Sequence, residues 1–312
     1  MPNIFCITGF LGSGKTTLLN KILPLCLEGN KVAVIENDFG DTGIDAGLVA
    51  ETGAAVRELA SGCICCSLRG ELKTALKSLI ETEKPDLIFI EPSGISRSSD
   101  ILSALKPLMD EGSAAIGNVL ALVDVSSFED YLDTFGDFYG DQIEAAQTVL
   151  FSHQSGLSKD ELNAISARIK EMCPRAACLI SDWRELDREA LWEFISASPG
   201  AAEESRFACD PSSQGKAGTE VFSFWSGFPD QAFSREEMES ALLVLAGGLA
   251  GKVLRAKGFC RASNEPGWHF DYLKGRSDIK PKAADAGGRV LVIGQNLNAD
   301  KLAGIFRLQI NN

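Results

Sequence analysis

The sequence has little positive charge and no long apolar run. Its 312 residues include 30 Lys and Arg against 43 Asp and Glu, so the formal net charge is −13 at pH 7. Such a chain has no basic face to displace counterions from a nucleic acid, and its acidic surface repels anionic membranes. The longest uncharged apolar stretch, residues 241–251, is far shorter than a membrane-spanning helix. We therefore predict neither a nucleic-acid partner nor a membrane partner.

Signals of secretion are also missing. No basic leader precedes the first apolar stretch, which predicts a cytoplasmic protein. The cysteine count is nine, an odd number, and this favours free thiols and metal ligation over a disulfide framework. With 45% apolar residues, the chain can fill the cores of one large α/β domain and a smaller one.

Residues 9–16, GFLGSGKT, form a complete phosphate-binding pattern of the type G-x-x-x-x-G-K-[ST]. An apolar strand pattern at 4–8 precedes it and an amphipathic helix pattern at 17–23 follows, as the motif requires. In such a loop, backbone N–H groups surround the phosphates, the lysine reaches the β and γ oxygens, and the hydroxyl after it binds Mg²⁺. The predicted nucleotide-binding residues here are Gly9, Gly12, Ser13, Gly14, Lys15, Thr16 and Thr17. The sequence therefore predicts a protein that binds a nucleoside triphosphate, with Lys15 also taking part in catalysis.

Apolar runs alternate with helical patterns along the first part of the chain. The predicted strands lie at 4–8, 31–35, 86–90, 119–123, 148–151 and 176–180. Helical patterns occupy 68–83, 101–109 and 159–172. This alternation predicts an α/β fold with a doubly wound, mostly parallel sheet around the phosphate loop.

A second, smaller domain is predicted after a linker. Residues 201–218 are rich in Ser, Gly, Ala and Pro and have no periodicity, which is typical of a linker. We assign the nucleotide-binding domain to 1–200 and an α+β domain to 219–312. Strands of the second domain are predicted at 221–225, 253–260, 269–273 and 289–293, with helices at 236–249 and from 299 onward.

Three cysteines crowd one turn at residues 62–66, GCICC. In extended backbone Cys63 and Cys65 project to the same side, and a turn at the start of the next helix brings Cys66 to join them. A helix N-terminus favours the thiolate that a soft or borderline metal needs, and three sulfurs leave one tetrahedral position for a further ligand, as suits a transfer site. The alternative is that these are small buried core residues, and C-x-C-C alone does not decide between the two. The remaining cysteines are scattered and predicted to be structural: Cys6, Cys26, Cys173, Cys178, Cys209 and Cys260.

Two predicted strands end in carboxylates, at 36–40 (ENDFG) and at 91–94 (EPSG). Ligands of a parallel sheet bind at the carboxyl ends of its strands, so Asp38 and Glu91 are candidates for holding Mg²⁺ or orienting the attacking water. Gly94 offers a small residue where the backbone must approach a γ-phosphate. The alternatives are that Asp38 only bonds its own loop and that Glu91 is a solvated strand end. We favour the functional interpretation because the two ends converge.

Together these motifs resemble those of the CobW-like metallochaperone GTPases, relatives of UreG and HypB. The matching segments are GFLGSGKTT at 9–17, ENDFG at 36–40, GCICC at 62–66 and EPSG at 91–94, with VLRAKGF and RVLVIGQNL similar to the CobW C-terminal domain. The resemblance covers nearly the whole chain. It implies a Mg²⁺-dependent GTPase that cycles between GTP and GDP and couples hydrolysis to delivery of Zn²⁺ or Co²⁺. Cys63, Cys65 and Cys66 would carry the metal, and a client metalloprotein or corrinoid-pathway protein would receive it.

The chain departs from the family pattern at three places. At residue 38 an Asp replaces the family's Glu, so the carboxylate is one methylene shorter. Where the guanine-recognising N-K-x-D is expected, residues 152–155 are SHQS, without a carboxylate to accept the guanine N1 and N2 hydrogens. Losing a paired buried hydrogen bond costs about 1 to 3 kcal/mol, so we expect a weak preference for GTP, with ATP as an alternative nucleotide. A His-rich tract is also missing, and His153 and His269 are expected to be surface or packing residues.

Two functions from different classes remain open from the sequence. The first is a Mg²⁺-dependent nucleotide hydrolase whose nucleotide state controls the cysteine site. The second is a non-catalytic regulatory or binding module gated by nucleotide and metal. The metal, the client and the oligomeric state, a homodimer included, are not determined by the sequence.

Overall fold

A computed structural model describes residues 1–36, 55–58, 68–197, 221–229, 231–262, 267–273, 275–282 and 288–308. The chain divides into two compact units, Met1–Gly218 and Thr219–Asn312. Asp38, the predicted cysteine site (Cys63, Cys65 and Cys66) and the predicted linker lie outside the described residues.

The first unit is a seven-stranded sheet in which every neighbouring pair is parallel. Its strands are β1 (Asn3–Gly9), β2 (Val32–Glu36), β3 (Ala55–Glu58), β4 (Leu87–Glu91), β5 (Ala115–Asp124), β6 (Thr148–Ser152) and β7 (Ala177–Leu179). Its helices are α1 (Lys15–Cys26), α2 (Leu68–Glu83), α3 (Ser98–Asp110), α4 (Phe128–Phe135), α5 (Asp137–Glu144), α6 (Lys159–Met172) and α7 (Arg188–Ser196). The strand order is β3-β2-β4-β1-β5-β6-β7.

Alternate residues of β1 enter two different cores. Ile4 and Cys6 belong to a buried cluster with α2 and α3, whereas Phe5 and Ile7 belong to a second cluster with α1 and α7. Side chains that alternate along a strand lie on opposite faces of the sheet, so both faces are covered by helices. This confirms the predicted doubly wound α/β fold.

Three helices of the first unit were not predicted from the sequence. These are α4 and α5, of 8 residues each, and α7, of 9 residues. Helices this short complete too few turns for a periodic apolar pattern to stand out. The start of α7 nevertheless carries a local signal, because the side chain of Asp187 accepts a hydrogen bond from the N–H of Ala190 as an N-cap.

The second unit has a five-stranded sheet in the order β11-β10-β9-β12-β8, in which every neighbouring pair is antiparallel. Its strands are β8 (Ser223–Gly227), β9 (Lys252–Cys260), β10 (Gly267–Leu273), β11 (Arg276–Lys282) and β12 (Arg289–Gln295), and its helices are α8 (Arg235–Ala246) and α9 (Ala299–Ile305). Met238 and Leu242 of α8 and Leu302 of α9 enter one buried cluster with β9, β10 and β12. The unpredicted strand β11 lies at the sheet edge and has the polar sequence RSDIKPK.

Within the described ranges, no helix combines the length and the apolar character needed to cross a membrane.

Candidate functional site

The phosphate loop connects β1 to α1 through three glycines in the left-handed region. Their φ angles are 138° at Gly9, 73° at Gly12 and 101° at Gly14. Side-chain-bearing residues rarely adopt these angles. At Gly9 a side chain would also clash, because a Cβ there would lie 2.4 Å from the carbonyl oxygen of Leu122. Backbone conformation therefore favours glycine at all three positions, and packing excludes a side chain at Gly9.

Lys15 folds back over this loop. Its side chain is buried, and Nζ donates to the carbonyl oxygens of Gly9 at 3.0 Å and Phe10 at 3.3 Å. The hydroxyl of Ser13 is fully buried, with no hydrogen-bond partner among the described residues. A cationic side chain above left-handed glycines and a buried hydroxyl in need of a partner suit a phosphate group. Thr17 lies beyond them in the first turn of α1, with an exposed side chain.

Two buried carboxylates lie at the ends of neighbouring strands, and one of them contacts Thr16. Oγ1 of Thr16 donates to Oε1 of Glu91 at 2.7 Å. Glu36 and Glu91 are direct partners in the register of β2 and β4, and both side chains are buried. A hydroxyl and carboxylate oxygens at this position are the hard ligands that Mg²⁺ prefers. Sequence reasoning chose Asp38 from this segment and missed Glu36, although both strands visibly end in glutamate.

The segment after β4 packs tightly against the phosphate loop. A Cβ built on Gly94 would lie 2.6 Å from the backbone nitrogen of Leu11, so only glycine fits here. Nε2 of Gln142, on α5, donates to the carbonyl oxygens of Gly94 at 3.0 Å and Ser96 at 2.8 Å. Gln142 thus holds this segment in place. Nothing in its sequence context singled it out.

An aromatic cluster supports the phosphate loop from behind. Phe10 packs against the rings of Tyr131, Phe135 and Tyr139, with centroids 4.7, 5.1 and 5.7 Å away. Burial, and then the nearby carboxylate of Asp124, raise the pKa of Tyr139 well above its usual value. The phenol therefore stays neutral, and the cluster is a rigid apolar support for the loop.

The segment after β6 contacts the phosphate loop through His153. Nε2 of this histidine lies 2.9 Å from the carbonyl oxygen of Gly12, and a hydrogen bond to a carbonyl requires the hydrogen on Nε2. The backbone of His153 is left-handed, with a φ of 56°. The residue expected to be a surface or packing histidine is thus a contact of the phosphate loop.

The loop after β7 is fixed to α1 by one lysine. Nζ of Lys21 donates to the carbonyl oxygens of Trp183, Arg184 and Leu186, at 3.2, 2.6 and 2.6 Å. The indole of Trp183 is fully buried, and the guanidinium of Arg184 lies 4.4 Å from its ring centroid. A Cβ on Gly14 would lie 3.1 Å from Nη2 of Arg184, which places this loop against the start of α1.

A cavity of about 700 Å³ opens between the loops after β6 and β7. This volume falls in the range of roughly 300 to 1,000 Å³ that is usual for small-molecule sites. Its polar lining residues include Gln154, Ser155, Asn163, Ser181, Asp182 and Glu185. The cavity lies at the carboxyl ends of parallel strands, where this class of sheet binds ligands.

No group of three or more His, Cys, Asp and Glu side chains in the described ranges is arranged to hold a metal ion. The cysteines in those ranges are free thiols: Cys6, Cys26, Cys173, Cys178 and Cys260. Burial raises the pKa of Cys6 and of Cys26 to about 12, which disfavours the metal-binding thiolate. The predicted metal site at Cys63, Cys65 and Cys66 lies outside the described residues.

Comparison with known proteins gives matches to both units. The family model for "CobW/HypB/UreG, nucleotide-binding domain" matches residues 3–179, and that for "Cobalamin synthesis protein cobW C-terminal domain" matches residues 222–307. The zinc chaperone YeiR of Escherichia coli is 35% identical over 144 residues, which are 46% of this chain and 44% of YeiR.

Two further relatives match over longer stretches. Zinc-regulated GTPase metalloprotein activator 1 of Dictyostelium discoideum is 29% identical over an alignment 304 positions long, gaps included, which covers 83% of this chain and 63% of that protein. The zinc chaperone CobW of Pseudomonas aeruginosa is 26% identical over an alignment 342 positions long, gaps included, which covers 96% of this chain and 89% of that protein. The chain thus spans less than two thirds of YeiR and of the Dictyostelium protein, and most of the Pseudomonas one.

Proposed function

Because the chain belongs to the CobW/HypB/UreG family of nucleotide-binding domains, we propose that it hydrolyses GTP and couples its nucleotide state to the binding and delivery of a transition metal. The observation that carries the proposal is the phosphate loop with buried Lys15 above it and the carboxylate of Glu91 bonded to Thr16. The similar proteins described above are named for zinc, so Zn²⁺ is the first candidate for the cargo and Co²⁺ the second.

The nucleotide half of the cycle depends on Lys15, Thr16 and Glu91. Nζ of Lys15, now bonded to loop carbonyls, is the group that would bind the β and γ oxygens of the triphosphate. Thr16 and Glu91, together with Asp38, would hold a Mg²⁺ ion, which neutralises charge on the phosphates when bound. Buried Glu36, the register partner of Glu91, would supply a further oxygen ligand. Asp38 and Glu91 are also the candidates for orienting the attacking water.

The metal half of the cycle depends on the cysteine segment. Cys63, Cys65 and Cys66 follow β3, and β3 pairs in parallel with β2, whose last residue is Glu36. The strand that precedes the cysteine segment in the chain therefore ends beside a strand that ends at the proposed nucleotide site. A change from GTP to GDP can order one loop there and release its neighbour, which is how nucleotide switches commonly act.

The client and location belong to the same proposal. A metalloprotein, or a protein of a corrinoid pathway, would receive the metal. Free thiols in both units are typical of a reducing compartment such as the cytoplasm. A homodimer is compatible with the proposal but is not required by it.

A metal titration in different nucleotide states tests the coupling. Zn²⁺ affinity would be measured by chelator competition without nucleotide, with GDP and with a non-hydrolysable GTP analogue. Coupling between two sites is typically about 1 to 3 kcal/mol, so we expect about 5- to 150-fold differences between the states. Cys65→Ser should weaken metal binding and abolish the differences, while nucleotide affinity of the metal-free protein stays nearly unchanged. Cys178→Ser, a matched change at a half-buried thiol of β7, should keep them.

Two outcomes would contradict the proposal. Equal Zn²⁺ affinity in all three states would make the cysteines a storage or structural site. A protein that binds GTP but does not turn it over, with or without Zn²⁺, would be a non-catalytic binding module.

A further inference from the structure

We propose that Asp182, on the loop after β7, recognises the base of the bound nucleotide and makes the site selective for guanine over adenine. The inference rests on the proposed nucleotide binding and adds the residue that chooses the base. It concerns the cavity between the loops after β6 and β7.

The position of this cavity relative to the phosphate loop is the first argument. Its β6 side continues from His153, whose ring contacts the carbonyl oxygen of Gly12 at 2.9 Å. On its β7 side, the guanidinium of Arg184 lies against Gly14. Both loops that form the cavity therefore touch the segment proposed to hold the phosphates. A base attached to those phosphates has this cavity within reach.

The rigidity of the loop after β7 is the second argument. Three backbone carbonyls of this loop are held by Lys21, and the side chain of Trp183 anchors the loop in the core. Within the loop, Oδ1 of Asp182 accepts a hydrogen bond from the N–H of Arg184 at 2.9 Å and pairs with its Nη1 at 3.6 Å. Neither of these contacts, within the described part of the chain, uses Oδ2. The carboxylate is thus oriented before a ligand arrives, and preorganised acceptors lose little entropy on binding.

The chemistry of the cavity is the third argument. Guanine presents its N1–H and its 2-amino group as donors, and an ionised carboxylate accepts from both. Adenine presents a lone pair at N1, which a carboxylate repels. Ser155, the residue in the position of the family's aspartate, carries one hydroxyl and cannot discriminate in this way. Asp182 lines the same cavity from the opposite loop and supplies the missing acceptor.

This inference reverses the expectation drawn from residues 152–155 alone. A weak preference for GTP followed from the absence of a carboxylate on one loop. The structure shows that a second loop brings a carboxylate into the same cavity, so guanine selectivity is expected to be retained.

Direct binding measurements test the proposal without any catalytic turnover. The full chain would be titrated by calorimetry with GDP, ADP and xanthosine diphosphate. The parent should prefer GDP over ADP by about a hundredfold or more, as sites that pair base hydrogens do. Asp182→Asn should weaken GDP binding by about tenfold or more, leave ADP within about twofold, and strengthen xanthosine diphosphate. The gain is expected because the asparagine amide can donate to the C2 oxygen of xanthine.

A matched control separates base recognition from loop stability. Asp187→Asn makes the same chemical change five positions along, at the N-cap of α7, where asparagine caps equally well. It should leave all three affinities at the parent values. The unaltered ADP affinity of Asp182→Asn shows in addition that the variant is folded and that its phosphate loop is intact.

The outcomes separate this proposal from the proposed function. A parent that binds GDP and ADP equally well keeps its nucleotide site but overturns guanine recognition by Asp182. Guanine recognition by Asp182 is likewise overturned if Asp182→Asn retains the parent's ratio of GDP to ADP affinity. A parent that binds neither nucleotide overturns the proposed function, and this inference with it.

Discussion

Replacing Gly94 by alanine should separate the segment after β4 from the phosphate loop. A Cβ at this position would lie 2.6 Å from the nitrogen, 2.8 Å from Cα and 2.9 Å from Cδ2 of Leu11. Optimal non-bonded contacts begin at about 3.5 Å, so the shortest of these overlaps by about 0.9 Å. Two of the three atoms belong to the backbone, and no side-chain rotation can relieve the clash. Overpacking of this kind costs about 1 to 3 kcal/mol.

The cost should appear mainly in binding of the triphosphate. Gly94 lies where the backbone is expected to approach the γ-phosphate. Gly94→Ala should therefore lower the affinity for a non-hydrolysable GTP analogue by about 5- to 150-fold, the equivalent of 1 to 3 kcal/mol. The affinity for GDP, which lacks that phosphate, should fall much less. Both affinities can be measured by calorimetry, with thermal unfolding monitored in parallel.

Gly304 provides a matched control for this substitution. Gly304→Ala, in α9, adds the same methyl group where no atom beyond its chain neighbours and its own helix backbone lies within 4 Å, and it should leave both affinities unchanged. If Gly94→Ala binds the GTP analogue as tightly as the parent does, the close contact between this segment and Leu11 does not govern the nucleotide site.

Three further predictions concern single side chains. Lys15→Ala should abolish GTP binding while the thermal unfolding midpoint stays near the parent's; retained binding in calorimetry would contradict the assigned loop. Lys21→Met removes three hydrogen bonds to the loop after β7 and should lower the affinity for GDP by at least about tenfold. Unaltered GDP affinity in calorimetry would mean that Trp183 alone holds the loop. Because burial raises the pKa of Cys6 and Cys26 to about 12, both hold almost no thiolate at pH 8 and should resist iodoacetamide until the chain unfolds; rapid modification in peptide mass spectra would refute this.

The phosphate loop and the fold class could be predicted from the sequence because their signals are local. The glycines at 9, 12 and 14 are fixed by backbone angles, and the buried strands are continuous apolar runs. The edge strand β11 escaped prediction because an edge exposes polar side chains, and its sequence RSDIKPK is charged and contains proline.

Residues that act across the fold could not be predicted. Lys21 and the carbonyls it binds are more than 160 positions apart, and Gln142 binds carbonyls nearly 50 positions away. Every residue carries a backbone carbonyl, so the sequence does not show which carbonyl a distant side chain will bind. Asp182, proposed above to recognise the base, was not predicted for a related reason, because a base-recognising carboxylate was expected only after β6.

The strand order places β1 at the middle of the sheet, with three strands on each side. On one side, β2 and β4 carry Glu36 and Glu91, and β3 leads to the cysteine segment. On the other side, β6 and β7 border the cavity. In the proposed scheme, the strands that border the base-binding cavity and the strand that leads to the metal-binding segment lie on separate flanks of the sheet, so base choice and metal handling can be redesigned separately. On the same proposal, a copy carrying Asp182→Asn would gain affinity for xanthosine nucleotides, so its metal loading could be driven by a nucleotide that the other GTPases of a cell do not use.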